Sequence, residues 1–114
     1  MKIAIIGGSN GGYAAAADLT NNGHEIYFWQ RSKYSSKALI KNKNIILMQD
    51  QKGKNRIKIH KICNTISTAV QNSEVIIILL PAFAQKDIAK KIKQHIQNTK
   101  KKLLPHGSFG TGIF

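Results

Sequence analysis

Six residues near the N-terminus, Gly7-Gly8-Ser9-Asn10-Gly11-Gly12, have the types and spacing needed to hold an anion. Set against the pattern G-x-G-x-x-G, they supply the first glycine (Gly7) and the third (Gly12), with Ser9 where the second belongs. The first glycine permits a tight turn out of a strand, and the third lets helix and sheet approach closely. The second lets a pyrophosphate come near the backbone, so the Cβ of Ser9 is a departure. Serine is small, however, and its hydroxyl can donate to a phosphate oxygen. Amides near Asn10 to Gly12 would face the anion from the positive end of a helix dipole. The alternative is a turn that only reverses the chain. A strand-turn-helix-strand context about 30 residues long favours the dinucleotide reading.

Two further stretches belong to the same chemistry. Where an NAD-preferring protein places Asp or Glu to accept from the ribose 2′-OH, this chain has Gln30-Arg31-Ser32-Lys33. A neutral amide, two cations and a hydroxyl suit a 2′-phosphate better than a bare ribose. The expected cofactor is therefore NADP(H), with NAD(H) possible, and Arg31 would stack on adenine or pair the phosphate. The alternative is that Arg31 and Lys33 are merely solvated. Leu80-Pro81-Ala82 ends an apolar strand; Pro81 stops the ladder, and the small Ala82 leaves room for a ligand.

Other reactive residues assemble nothing. His24 follows a helix stop, His60 lies on a strand and His95 sits among lysines. His106 is placed in a glycine loop near the crevice without a partnering carboxylate. The five acids, Asp18, Glu25, Asp50, Glu74 and Asp87, fall near element ends or surfaces, and no metal-ligand spacing appears. A single cysteine, Cys63, excludes an internal disulfide.

The elements that must position these residues are readable from periodicity. Met1 to Ile6 is a short, β-branched apolar run, as in a strand buried on both faces. Tyr13 to Asn22 contains four consecutive alanines and stops at Gly23, a good left-handed helix terminator. Glu25 to Gln30 is a second strand, completing a βαβ unit. One helical stretch is expected around Ala38 to Ile40. Short strands are expected at Ile45 to Met48 and Ile57 to Ile62, separated by a turn from Asp50 to Asn55. Thr65 is placed to cap a helix running to Asn72, with Ala69 and Val70 inward. Val75 to Leu80 reads as a central strand, and Phe83 to Gln97 as an amphipathic helix inward at Ile88, Ala89, Ile92 and Ile96. Lys102 to Leu104 is the last strand, closed by Pro105 and the loop His106 to Gly110.

Alternating strands and helices predict an α/β fold, a Rossmann-like doubly wound parallel sheet of about five strands in one three-layer αβα domain spanning residues 1–114. The connections allow the order 3-2-1-4-5, with the crevice at the carboxyl ends of strands one and four. The chain reads as stopping before a full six-stranded domain. Its 114 residues suffice for one core but not for a second, substrate-binding domain. The apolar tail Phe109 to Phe114 is expected to need a following element to bury it.

Eighteen Lys and Arg against five Asp and Glu give a net charge of +13. Sixteen of these cations are lysines spread from Lys2 to Lys102, and abundant Ile and Asn accompany them, as codon bias would produce. That pattern disfavours a nucleic-acid partner, whose readers more often concentrate arginine and aromatics on one face. The longest nearly apolar run, Val75 to Ala84, is about half a membrane span, and Ile3 to Ile6 is too short for a signal peptide. The expectation is a cytoplasmic protein with no membrane partner.

With these residues in place, the chain resembles the N-terminal NAD(P)-binding domain of the opine (octopine) dehydrogenase family, itself similar to the cofactor domains of glycerol-3-phosphate dehydrogenase and ketopantoate reductase. The matching stretches are Met1 to Leu19, Gly23 to Ser32, Ser73 to Ala84 and Leu103 to Gly110. Asn10-Gly11-Gly12 and Pro81-Ala82 tilt the choice toward the opine branch. The resemblance implies that Gly7, Gly11 and Gly12 contact the pyrophosphate, Gln30 and Arg31 the adenosine ribose, and Pro81-Ala82 the nicotinamide half. It implies hydride transfer to the imine of an amino acid and a 2-keto acid, with a helical domain supplying substrate binding and a catalytic histidine. No residue here could form that domain, so this chain alone is expected to be a truncated or split, inactive piece, completed by a separately encoded partner. The alternatives are a cofactor domain of the glycerol-3-phosphate dehydrogenase or ketopantoate reductase type, or a stand-alone nucleotide-binding module.

Overall fold

The computed structural model describes residues 1–50, 53–96 and 102–106. The expected loop from Gly107 and the apolar tail lie outside them. Five parallel strands form the central sheet, and a separate hairpin packs beside it.

The leading strand β1 (Lys2–Gly7) runs into α1 (Ser9–Asn21), then β2 (Glu25–Trp29) and α2 (Lys33–Lys41). Next come β3 (Ile45–Asp50), β4 (Gly53–Lys58) and β5 (Lys61–Cys63). The remainder is α3 (Ile66–Gln71), β6 (Val75–Leu79), α4 (Ala82–Ile96) and β7 (Lys102–His106). The sheet order is β5-β2-β1-β6-β7. Counting parallel strands alone, this is the expected 3-2-1-4-5.

Side-chain alternation in β1 feeds two cores, since successive residues face opposite sides of a sheet. Ala4 and Ile6 join Tyr27, Trp29, Ile76 and Ile78 under α3 and α4, with Val70, Ile88 and Ile92 closing that side. Ile3 and Ile5 join Ile26, Phe28 and Ile77 on the other, beneath Ala16 and Ala17 of α1 and Leu39 of α2. Two helix layers around one sheet make the three-layer sandwich. Within the alanine run, Ala16 and Ala17 are fully buried; a helix presenting only methyl groups can lie close to the sheet.

Local chemistry explains the helix ends. α1 stops where Gly23 takes φ +93, with Gly23 N–H donating to the Thr20 carbonyl and His24 N–H to that of Leu19. That is the paired Schellman pattern. Ser32 caps α2 by accepting from the Ser35 amide at 3.1 Å, and Thr65 caps α3 by accepting from Thr68 at 3.1 Å.

Four expectations need correction. The first helix begins at Ser9 rather than Tyr13, so Gly11 and Gly12 are helical and the turn proper is only Gly7-Gly8. The run Ile57 to Ile62 is not one strand: β4 pairs antiparallel with β3, and after Ile59 the chain turns at His60 so that Lys61–Cys63 joins β2 in parallel. Alternation in the sequence shows a solvated face but not which partner a strand chooses. The last strand extends through Pro105 to His106, with Pro105 opposite Ile78, at an edge where a missing N–H is tolerated. The fourth helix starts at Ala82, directly after Pro81, rather than at Phe83.

Candidate functional site

β1 and β6 are neighbours, while the helices that follow them, α1 and α4, cover opposite faces of the sheet. A crevice opens at the carboxyl ends of two strands where their connections diverge in this way. Gly7 stands opposite Leu79 in the register, so the glycine turn and the Leu80-Pro81-Ala82 segment meet at that point.

The turn is built by the absence of side chains. Gly7 has φ +149, and a Cβ there would lie 2.1 Å from the carbonyl oxygen of Leu79. No other residue fits. At Gly12 the demand is milder: a Cβ would meet the Gly7 carbonyl carbon at 3.4 Å and the Phe28 ring at 3.5 Å. Gly8 is the N-cap of α1 and offers no side-chain oxygen to its amides. Gly12 N–H donates to the Gly8 carbonyl at 3.1 Å. The amide of Gly12 is therefore taken, contrary to expectation, and the amides of Ser9, Asn10 and Gly11 precede the first intrahelical bond. No acidic residue occupies the first turn, so the positive end of the dipole is not neutralised from within the helix. The side chains of Ser9 and Asn10 lie outside what the structure describes.

Gln30 was expected to face an adenosine ribose. Its side chain is instead buried, 2% exposed, and runs beneath Gly8, whose Cβ position would lie 3.4 Å from Gln30 Oε1. Tyr13 Oη donates to that Oε1 at 2.9 Å. Gln30 Nε2 is buried and has no partner among the described residues. Tyr13 is held in turn by Phe28, its ring edge-on at 5.7 Å.

Arg31 is exposed and leaves the other way, its guanidinium 5.9 Å from the Phe83 ring centroid. These two side chains frame a cleft of about 330 Å³ whose floor and wall include Trp29, Ala84, Asp87 and Lys91. Phe83, 77% exposed, is an aromatic face presented to solvent beside the crevice. The flanking residues have structural uses: Ser32 caps α2, and the Lys33 ammonium donates to the Asn64 carbonyl. Leu80 is buried with its carbonyl accepting from Gln85 Nε2 at 2.9 Å, while the Pro81 carbonyl, just before α4, accepts from the Ala84 amide at 2.9 Å.

Sequence reasoning thus located the turn and the strand ends but missed Tyr13, Phe83, Asp87 and Lys91. A surface aromatic three residues beyond a strand end was the available signal for Phe83. Nothing in the sequence announced that Tyr13 reaches Gln30.

The remaining reactive groups lie elsewhere. His60 Nε2 is 4.0 Å from Glu25 Oε2 at the opposite edge of the sheet, where β2 begins. Burial pushes the Cys63 thiol up to about 11 against the opposing pull of Lys61, so it is no nucleophile at neutral pH. The backbone of His106 ends β7 opposite Leu79, at the crevice side of the sheet rather than in a loop. Among the described residues no helix is long and apolar enough to cross a membrane, and no three metal-binding side chains converge.

Comparison with known proteins agrees with this fold. The model of the NAD-dependent glycerol-3-phosphate dehydrogenase N-terminus matches residues 2–113. A glycerol-3-phosphate dehydrogenase [NAD(P)+] of Thermoanaerobacter sp. (strain X514) is 30% identical over 94 residues, covering 82% of this chain and 28% of that protein. The corresponding protein of Fusobacterium nucleatum is 27% identical over 105 residues, covering 86% of this chain and 29% of the relative. Among solved structures, glycerol-3-phosphate dehydrogenase from Coxiella burnetii superposes with a TM-score of 0.75 at 17% identity, covering 93% of this chain and 32% of that one. A 2-dehydropantoate 2-reductase assigned in Enterococcus faecalis gives 0.71 at 23% identity, covering 92% and 33%. The chain therefore spans under a third of the length of the curated relatives it matches.

Proposed function

The chain belongs to the family of the NAD-dependent glycerol-3-phosphate dehydrogenase N-terminus, and on that premise we propose that it is the dinucleotide-binding part of an oxidoreductase acting on glycerol 3-phosphate or a similar small phosphorylated alcohol. The observation that carries the reading is the cradle at Gly7. A Cβ would collide there with Leu79, and the turn delivers three amides without intrahelical partners to one point.

The residues present fit the cofactor. The amides of Ser9, Asn10 and Gly11 would hold the pyrophosphate. The cleft between Arg31 and Phe83 would take the adenine, with the guanidinium near its 2′ substituent, and Pro81-Ala82 would border the nicotinamide half. The dinucleotide, when bound, gives or receives a hydride. The chain's own contribution is binding and orientation, and a further domain, continuous or separate, would position the alcohol and move the proton.

Cofactor choice follows from the same residues. Arg31 and the absence of an acid at the end of β2 favour NADP(H) over NAD(H). The opine branch, with an imine as hydride acceptor, rests only on Asn10-Gly11-Gly12 and Pro81-Ala82; the family and relatives matched favour the phosphorylated alcohol.

Trp29 is the single tryptophan and borders the cleft, which makes its fluorescence a direct probe. Titration with NADPH should quench it saturably, and ADP-ribose should compete. Emission unchanged by any adenine dinucleotide at millimolar concentration, with calorimetry equally silent, would overturn the assignment.

A further inference from the structure

We propose that the solvent face of the β3–β4 hairpin is a docking surface for the phosphate backbone of a nucleic-acid duplex. The even spread of lysine along the chain argues against such a partner, but folding gathers cations that the sequence scatters. The inference goes beyond the dinucleotide reading and uses none of its residues.

The hairpin is a two-stranded sheet separate from the five-stranded one, and its residues alternate between two faces. Ile46, Met48 and Ile57 turn inward to the core that α1 and α2 cover. Lys54, Arg56 and Lys58 occupy the other alternation of β4, and all three are exposed. In the antiparallel register Arg56 stands across from Leu47 and Lys58 from Ile45, so no carboxylate faces either cation. Asp50, the one acid in the two strands, pairs in register with Gly53. Among the described residues the only ion pair joins His60 to Glu25, and none of the three cations has a carboxylate partner.

Residues two apart on a strand are separated by about 6.8 Å, so the row runs for about 14 Å. A duplex carries one charge per about 1.7 Å of its axis, about eight over that length. A row of unpaired cations meets that charge without first breaking ion pairs of its own. Neither strand contains an aromatic residue, which removes the stacking platform a single strand uses and leaves contact with phosphates. A membrane surface is the poorer match. Leu47, 59% exposed, is the one large apolar side chain that this face exposes, too little to insert beside the cations. A second copy is poorer still, since each chain carries +13 and repels its like.

The test is the fluorescence anisotropy of a labelled duplex of about 20 base pairs, titrated with the 114-residue chain across a salt series. Lys54→Gln, Arg56→Gln and Lys58→Gln together should weaken binding at least about tenfold in low salt. They should also flatten the slope of log K against log salt by about 2.7, or about 0.9 per phosphate contact. An exposed row on α4, across the sheet, supplies the control: Lys86→Gln, Lys90→Gln and Lys93→Gln remove the same charge. That variant should move the slope by less than about 0.9. Equal losses from the two triple variants mean attraction to net charge alone and overturn the proposal. Release of the duplex by saturating NADPH at constant ionic strength places the polyanion in the crevice and overturns it too. So does capture by phosphatidylserine vesicles or polyglutamate without capture by duplex, or no binding of any duplex in low salt. If the hairpin variant lacks a cooperative melting transition, Arg56→Gln alone reads the surface; a slope flattened by about 0.9 supports the proposal and an unmoved slope overturns it. DNA and RNA duplexes of one sequence are run side by side; binding of either supports the proposal, and the tighter names the source. Failure to bind NADPH would strike the dinucleotide reading and leave this one standing.

Discussion

The two halves of the crevice are made of different materials. At the glycine turn the backbone itself is the binding surface, and its shape is enforced by a contact that leaves no room for a Cβ at Gly7. Across the crevice, the cleft is framed by the exposed side chains of Arg31 and Phe83, more than fifty residues apart in the chain. The first region is rigid and intolerant. The second is adjustable, and its chemistry can change without disturbing the fold.

That contrast is breakable in order of expected effect. Gly7→Ala should be the most damaging change, because the methyl would overlap the Leu79 carbonyl in a backbone conformation that L-residues resist. A loss of about 3 kcal/mol or more is expected, seen as a large drop in melting temperature or no cooperative transition. A melting temperature within a few degrees of the parent would show the turn to be adjustable after all. Arg31→Ala comes next. It should leave the melting transition unchanged, since an exposed cation–π contact is worth about 0.5–1 kcal/mol. It should nevertheless weaken NADPH binding by about tenfold, measured by titration, with NADH affected less. Equal weakening of both would remove Arg31 from the 2′ group.

Gly12→Ala sharpens the comparison from inside the turn. The added methyl meets neighbours at 3.4–3.5 Å rather than 2.1 Å. Alanine also recovers up to about 1 kcal/mol of helix propensity, so the net change in stability should stay below about 1 kcal/mol. Chemical denaturation would measure it. The effect least felt at neutral pH concerns Cys63, whose folded value near 11 exceeds its ordinary 9.0. The raised value means the folded state keeps its proton longer, so stability is complete below about pH 9 and declines as pH rises toward 11. Cys63→Ala should flatten that decline in pH-dependent denaturation curves.

The same division of materials explains what the residues disclosed in advance. Gly7, forced by close approach, cannot be replaced without strain, and the glycine pair it opens marks the turn in the linear chain. The β-branched runs Ile3 to Ile6 and Val75 to Leu79 likewise announced buried parallel strands, because both of their faces are covered. The β3–β4 hairpin was obscure for the opposite reason. Its residues alternate as a half-exposed strand would in any sheet, and only packing of Ile46 and Ile59 under α1 and α2 decides the partner. The Tyr13–Gln30 bond and the Arg31–Phe83 approach each join residues from separate elements, and neither leaves a local trace.

The shortness of β5 has a consequence for behaviour in concentrated solution. A flank of any open sheet invites another chain to add itself as one more strand, which is how fibrillar aggregates start. Here the β5 flank presents only three residues, and the first of them, Lys61, is an exposed cation. A recruited strand would find little ladder to hold and a charge to desolvate, so that side of the molecule resists templated growth.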